Sequence, residues 1–151
     1  SSDLTFLAGS SMGGLMTLYG LLAFNDVFSR GAALSPSIWV APDKLVELAK
    51  TAALDPDTGI YMDYGSREMD RRYRDEMLRD YYRLVAAIGE RGVYLTSRLI
   101  PGGEHCEACW EQQLPSVMTA LFYEYIPAGG AEADPAAGDE TQSGHAGEDE
   151  A

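Results

Sequence analysis

The chain has 151 residues, 46% of them hydrophobic, so it is long enough to bury the core of one domain. Its 24 acidic residues outnumber 11 Lys and Arg, which gives a formal net charge of −13. Residues 127–151 hold seven of the acids and no Lys or Arg, so the first 126 residues carry a formal net charge of −6. This acidic balance excludes nucleic acid as a partner, because binding a phosphate backbone needs clustered basic side chains.

Residues 127–151 are rich in Ala, Gly, Glu and Asp and contain no aromatic residue. Such a segment cannot bury enough apolar surface to offset the entropy lost on ordering. We therefore predict a domain in residues 1–126 followed by an acidic disordered tail. No apolar run approaches the roughly 18 residues of a membrane span, and no signal peptide is visible, so we expect no membrane partner and a cytoplasmic location.

Short apolar segments alternate with helical patterns along the chain. The predicted strands cover residues 4–8, 31–35, 60–64 and 93–100. The predicted helices cover residues 13–24, 42–53, 70–91 and 107–125, with Pro115 a possible break in the last. The first segment is almost wholly apolar, which indicates a strand buried on both faces. The alternation predicts an α/β fold with a parallel sheet of about four strands and helices on both faces.

The segment Gly9-Ser10-Ser11-Met12-Gly13 matches the pattern G-x-S-x-G and lies between a predicted strand and a predicted helix. In that context the pattern is typical of a nucleophile elbow, a turn so sharp that both glycine positions must be small. Such a turn exposes the Ser11 hydroxyl and directs the Met12 backbone N–H, near a helix N-terminus, at a developing oxyanion. We therefore predict Ser11 as a nucleophile and Met12 as one oxyanion-hole donor.

A serine nucleophile needs a base, and histidine is the usual one. His105 follows the fourth predicted strand on a Gly-Gly loop, whereas His145 lies in the acidic tail, so His105 is the predicted base. The orienting carboxylate should follow an earlier strand. Glu68 and Asp70 both follow the third strand; we favour Glu68, and Asp70 could instead cap the next helix.

Cys106 and Cys109 form a C-x-x-C directly after His105, which raises a zinc or redox interpretation. A structural zinc site needs four ligands, and no second Cys or His cluster is within reach apart from His105. We therefore predict neither a metal site nor a redox centre, and the proposed chemistry needs no cofactor.

Four segments together resemble the esterase family of α/β-hydrolases that contains esterase D, feruloyl esterases, enterochelin esterases and mycolyltransferases. They are GSSMGGLMTLY from Gly9, LSPSIW from Leu34, IYMDYGSRE from Ile60 and PGGEHCEACW from Pro101. The resemblance spans about residues 3–125. It implies Ser11 as nucleophile, His105 as base, Met12 N–H as an oxyanion donor and the carboxylate after Gly65 as the acid. It also implies that Trp39 and Trp110 lie near the site. An equal alternative is that both tryptophans pack in the core.

The chain departs from that family in beginning almost at the strand before Ser11. A full α/β-hydrolase sheet has about four earlier strands and a loop that supplies a second oxyanion N–H. The resemblance therefore implies the C-terminal half of a longer protein, with one sheet edge bare and half of the oxyanion hole absent from this chain.

The predicted function is hydrolysis of a small-molecule carboxylic ester through Ser11, His105 and Glu68, with an acyl-enzyme intermediate. Two alternatives stay open. An acyltransferase would use the same triad to pass the acyl group to an alcohol, and an inert fragment would keep the motif without activity. The pattern of residues does not choose the acyl or alcohol group, nor the oligomeric state.

Overall fold

A computed structural model of the chain describes residues 5–122. The prediction of a disordered tail at 127–151 and the position of His145 lie outside the described residues. The four strands are β1 Phe6–Ser10, β2 Arg30–Leu34, β3 Gly59–Gly65 and β4 Tyr94–Ile100. The five helices are α1 Met12–Ala23, α2 Pro42–Thr51, α3 Arg74–Gly89, α4 Glu107–Glu111 and α5 Leu114–Phe122, and a 3-10 turn covers Ile38–Val40.

The strands form one parallel sheet in the order β1-β2-β3-β4. Each strand therefore pairs with the next one along the chain, and α1, α2 and α3 are the crossover helices. Because all strands point the same way, the loops that follow them gather at one edge of the sheet. This confirms the predicted α/β class with about four parallel strands.

Side chains of the central strands alternate between two hydrophobic clusters. On one face Ala33, Ile60 and Met62 pack with leucines and other apolar residues of α1, α2 and α3. On the other face Ala32, Leu34 and Tyr61 pack against α5. Helices thus cover both faces, which is why β2 and β3 are almost continuously apolar and buried.

Several predicted boundaries were wrong. Strand β1 begins two residues later than predicted, and it is half-buried rather than buried on both faces because it is the first strand in the sheet order. Helix α3 begins at Arg74 instead of residue 70, since residues 71–73 form turns. The last helical stretch is two helices, but the break falls at Gln112 and Gln113, and Pro115 lies in the first turn of α5, where a missing N–H costs nothing.

Candidate active site

Ser11 lies in the sharp turn between β1 and α1. Its φ of 55° and ψ of −120° are values that residues other than glycine rarely adopt. The Ser11 N–H donates to the Leu34 carbonyl at 2.9 Å, and the Ser11 carbonyl accepts from the N–H groups of Leu15 and Ser37 at 3.0 Å each. These backbone bonds over-determine the turn and hold it in a conformation that would otherwise be costly.

The glycines of the G-x-S-x-G pattern differ in how much they depend on being small. A Cβ added to Gly9 would lie 2.6 Å from the carbonyl carbon of Gly13, so the turn closes only with glycine there. A Cβ on Gly14 would lie 3.1 Å from the Leu34 carbonyl oxygen. A Cβ on Gly13 would meet nothing within 4 Å in residues 5–122. The expectation that both motif glycines must be small therefore holds for Gly9 and is wrong for Gly13.

The Ser11 hydroxyl does not cap the helix that it precedes. Serine at a helix N-cap usually accepts a hydrogen bond from a backbone N–H of the first turn, but Ser11 makes no such bond. Its Oγ lies 2.8 Å from Nε2 of His105 and 3.3 Å from Oγ of Ser37. The hydroxyl is thus positioned to give its proton to the imidazole.

His105 is carried by the loop after β4, and this loop is tied to the loop after β3. The Gly102 N–H donates to Oγ of Ser66 at 2.8 Å, and the Arg67 N–H donates to the Gly103 carbonyl at 2.9 Å. Gly102 has a φ of 73°, a left-handed value that favours glycine. These contacts fix the distance between the imidazole and the residues after Gly65.

Glu68 is the carboxylate that meets the imidazole, with its Oε2 3.0 Å from Nδ1 of His105. The Glu68 side chain is only 1% exposed. Its other oxygen, Oε1, accepts hydrogen bonds from the Gly65 N–H and the Ser35 hydroxyl. Both oxygens of this buried side chain therefore have hydrogen-bond partners.

Asp70, the alternative acid, is engaged elsewhere. Its Oδ1 accepts from the Arg72 N–H at 3.1 Å, and its carbonyl accepts from the Tyr73 N–H at 2.9 Å. The N-cap of α3 is Tyr73, so Asp70 does not cap that helix either. Asp70 instead closes a local turn between Glu68 and α3.

Met12 is the first residue of α1, and its side chain is exposed. The first N–H groups of a helix have no acceptor within the helix. The Met12 N–H finds none elsewhere in residues 5–122, and it sits beside Ser11 at the positive end of the α1 dipole. It is therefore free to donate to an atom bound next to the Ser11 oxygen.

Cys106 and Cys109 are free thiols at the start of α4. The Cys109 Sγ accepts a hydrogen bond from the Glu104 N–H at 3.3 Å. Over the described residues there is no group of three or more His, Cys, Asp or Glu that could hold a metal ion. Nor does any helix there have the length and apolar character needed to cross a membrane.

The two tryptophans differ in their relation to His105. The Trp110 ring meets the His105 ring edge-on with centroids 5.0 Å apart, and its Nε1 donates to Oγ of Ser35 at 2.9 Å. Trp39 is 54% exposed in the 3-10 turn after β2, so the alternative that Trp39 packs in the core is wrong. Trp110 therefore lies beside His105, as the resemblance implied.

Sequence reasoning missed Ser35 and the buried Asp63, which lie side by side under Glu68. Ser35 has a φ of 44°, and its N–H donates to Oδ1 of Asp63 at 3.0 Å. Oδ2 of Asp63 accepts from the Tyr61 hydroxyl at 3.0 Å. The available signal was position, because Ser35 directly follows β2 at the edge of the sheet where Ser11, Glu68 and His105 were expected.

Burial raises the pKa of two side chains near Glu68, those of Asp63 and Tyr64. Burial raises the pKa of the Asp63 carboxyl, and the bonds from Ser35 and Tyr61 lower it only in part. Burial, together with the nearby Glu68 carboxylate, raises the pKa of Tyr64, so its hydroxyl stays neutral. Asp63 and Tyr64 are thus buried near Glu68, whereas His105 is partly exposed.

Comparisons with known proteins identify the family and the fold of the chain. The family model described as "Putative esterase" matches residues 1–121. No curated protein sequence matches the chain. The enterobactin esterase from Shigella flexneri, solved with 2,3-dihydroxy-N-benzoyl-glycine, is 26% identical with a TM-score of 0.62, and the match covers 80% of this chain and 33% of that one.

Two further solved structures share the fold at lower identity. A ferulic acid esterase is 17% identical with a TM-score of 0.64, over 80% of this chain and 52% of that one. A fluorophosphonate-binding serine hydrolase from Staphylococcus aureus is 16% identical with a TM-score of 0.58, over 80% and 55%. This chain thus spans about a third to a half of the length of these proteins. Since the family model covers most of its residues, the chain belongs to the esterase family and has the fold of an α/β-hydrolase, in part.

Proposed function

We propose that this chain carries the catalytic residues of a serine carboxylic ester hydrolase acting on a small-molecule ester. The observation that carries the proposal is the continuous hydrogen-bond chain from Ser11 Oγ through His105 to Glu68, with links of 2.8 and 3.0 Å. The esterase family to which the chain belongs supports the same reaction class.

In the proposed first step, His105 Nε2 takes the Ser11 proton while Ser11 Oγ attacks the ester carbonyl carbon. Glu68 keeps a proton on Nδ1, so that Nε2 is the free base, and it stabilises the imidazolium that forms. The carbonyl oxygen becomes an oxyanion, to which the Met12 N–H donates. Collapse of this intermediate expels the alcohol, which receives the proton from His105.

In the second step, water attacks the acyl-Ser11 ester, and His105 removes the water proton. The tetrahedral intermediate releases the carboxylic acid product as Ser11 Oγ regains its proton from His105. The buried Glu68 keeps its role throughout, since its two oxygens stay bound to the same donors. No cofactor enters either step.

The experiment compares hydrolysis of 4-nitrophenyl acetate by the protein as its gene encodes it, with any residues that flank this chain, and by two pairs of variants. Ser11→Ala should lower kcat by about 10³-fold or more, whereas Ser10→Ala, at the neighbouring position, should keep most of it. A parent-level rate in folded Ser11→Ala protein would refute the proposal.

The second pair distinguishes the two candidate acids. Glu68→Gln should lower kcat by about 10³–10⁴-fold, because the glutamine oxygen stays with the Gly65 and Ser35 donors and its NH₂ then faces Nδ1. That amide would force the His105 proton onto Nε2, where it blocks transfer from Ser11. Asp70→Asn should change kcat by less than about twofold, since the hydrogen bonds of Asp70 within residues 5–122 are confined to its local turn. The reverse pattern would assign the acid to Asp70.

A further inference from the structure

A chain of hydrogen bonds continues beyond Glu68, on the side away from His105. Trp110 Nε1 lies 2.9 Å from Ser35 Oγ, and Ser35 Oγ is in turn bonded to Glu68 Oε1. Ser35 is 3% exposed and Glu68 is almost fully buried, so water is a poor substitute for either partner.

The direction of each bond in this chain is fixed by chemistry. An indole N–H can only donate, so Ser35 Oγ accepts from Trp110. A hydroxyl has one proton, and an ionised carboxylate can only accept, so Ser35 donates that proton to Glu68. The indole therefore prevents Ser35 from turning its proton elsewhere, and Ser35 holds Oε1 so that Oε2 faces His105.

The backbone of Ser35 is also held in place for this task. Its φ of 44° is a left-handed value that costs a non-glycine residue free energy. The bond from the Ser35 N–H to the buried Asp63 offsets that cost. Without the left-handed turn, the chain after β2 would not present the Ser35 hydroxyl and N–H to two different carboxyl groups.

We propose that Ser35 is a positioning residue for the reaction, oriented by Trp110, and that it fixes the Glu68 carboxylate against His105. This inference rests on the proposed Ser11-His105-Glu68 chemistry. Within residues 5–122 no hydrogen bond joins Ser35 to Ser11 or His105, and the Ser35 hydroxyl reaches the triad through its direct bond to Glu68.

The test uses variants of the protein as its gene encodes it, assayed with 4-nitrophenyl acetate. Ser35→Ala and Ser35→Gly both remove the hydroxyl, and the glycine variant also relieves the left-handed backbone. Each should lower kcat by about 10- to 100-fold, the loss expected for one hydrogen bond to a charged group, with KM within about twofold. Because Ser35→Gly has no backbone penalty, it keeps the test decisive if Ser35→Ala folds poorly.

Trp110→Phe removes the N–H and part of the bicyclic ring but keeps an aromatic side chain next to His105. It should lower kcat by about 2- to 10-fold in the parent and cause no further loss in the Ser35→Ala background. In the Glu68→Gln background, Ser35→Ala should likewise lower kcat only slightly further. If Ser35 had a merely structural role, the losses in kcat from the two substitutions would be additive. Ser97→Ala is the control, because Ser97 is exposed on β4 and its hydroxyl has no hydrogen bond within residues 5–122.

The outcomes separate this inference from the proposed function. If Ser11→Ala abolishes hydrolysis but folded Ser35→Gly keeps the parent kcat, the positioning role is wrong and the esterase proposal stands. If Ser11→Ala keeps the parent rate, the esterase proposal itself fails. Additive losses for Ser35→Ala and Glu68→Gln would also overturn the positioning role.

Discussion

Asp63 is a buried carboxyl group beneath the cluster, and its protonation should affect the stability of the fold. It is 1% exposed, and burial raises its pKa from the ordinary 3.8. A carboxyl whose folded pKa is raised favours the neutral form in the native state. Its contribution to stability is complete below the unfolded pKa and is lost as pH rises through the folded value.

We therefore predict that the free energy of unfolding of Asp63→Asn, relative to that of the parent, increases as pH rises. The asparagine oxygen can still accept from the Ser35 N–H, but the side chain no longer ionises. The measurement is urea unfolding of both proteins at about pH 4, near the ordinary pKa of the carboxyl, and at about pH 8. The variant-minus-parent difference in unfolding free energy should be larger at the higher pH, and an equal difference at both would contradict the assignment.

Residue positions were predictable where a motif and a place in the fold coincide. Ser11, His105 and Glu68 each follow a strand of the parallel sheet, and the structure places all three in one hydrogen-bonded chain. Ser35 also follows a strand, but a single serine before a proline has no distinctive pattern. Its role depends on contacts with Trp110 and Glu68 that are 75 and 33 residues away in sequence.

The loops after β3 and β4 approach each other so closely that one position between them must be glycine. A Cβ on Gly65 would lie 2.4 Å from the Gly103 carbonyl oxygen and 2.8 Å from Cγ of Glu68. The same loops are joined by the bonds from Ser66 to Ile100 and from Arg67 to Gly103. A side chain at residue 65 would therefore push the His105 loop away from Glu68.

Gly65→Ala should destabilise the fold by about 2–3 kcal/mol and separate the imidazole from its carboxylate. Gly13→Ala is the matched control, since a Cβ there meets no atom of residues 5–122 within 4 Å and alanine favours the helix by up to about 1 kcal/mol. Thermal unfolding of the two variants against the parent measures both effects. A Gly65→Ala variant as stable as the parent would show that the loops can shift at little cost.

Elements were predicted best where hydrophobic period and length agree. The order of strands and helices, and the parallel sheet, follow from alternating apolar segments and are seen as expected. Boundaries were less accurate, because turns at residues 71–73 and the break at Gln112 and Gln113 depend on tertiary packing rather than on local pattern. The exposure of β1 could not be read from its sequence, since its apolar composition is the same for an edge strand and a central one.

At the scale of the whole molecule, the topology of the sheet brings the reactive side chains together at one edge. With four strands in sequential order, the loops after β1, β2, β3 and β4 carry Ser11, Ser35, Glu68 and His105, in that order. Residues 94 positions apart, Ser11 and His105, thereby come within a hydrogen bond. A parallel sheet achieves this without any local sequence signal linking the two, which is why only a fold-level argument could pair them.

The central claim is that Ser11 is a nucleophile activated by His105, and a fluorophosphonate probe tests it most directly. Peptide mass mapping of the labelled protein, expressed with any residues that flank this chain in its gene, should place the adduct on Ser11 and leave Ser10 unmodified. Labelling should be absent in Ser11→Ala and strongly slowed in His105→Gln, because the hydroxyl then lacks its base. Folded protein with no adduct on Ser11, or with equal labelling in His105→Gln, would contradict the account.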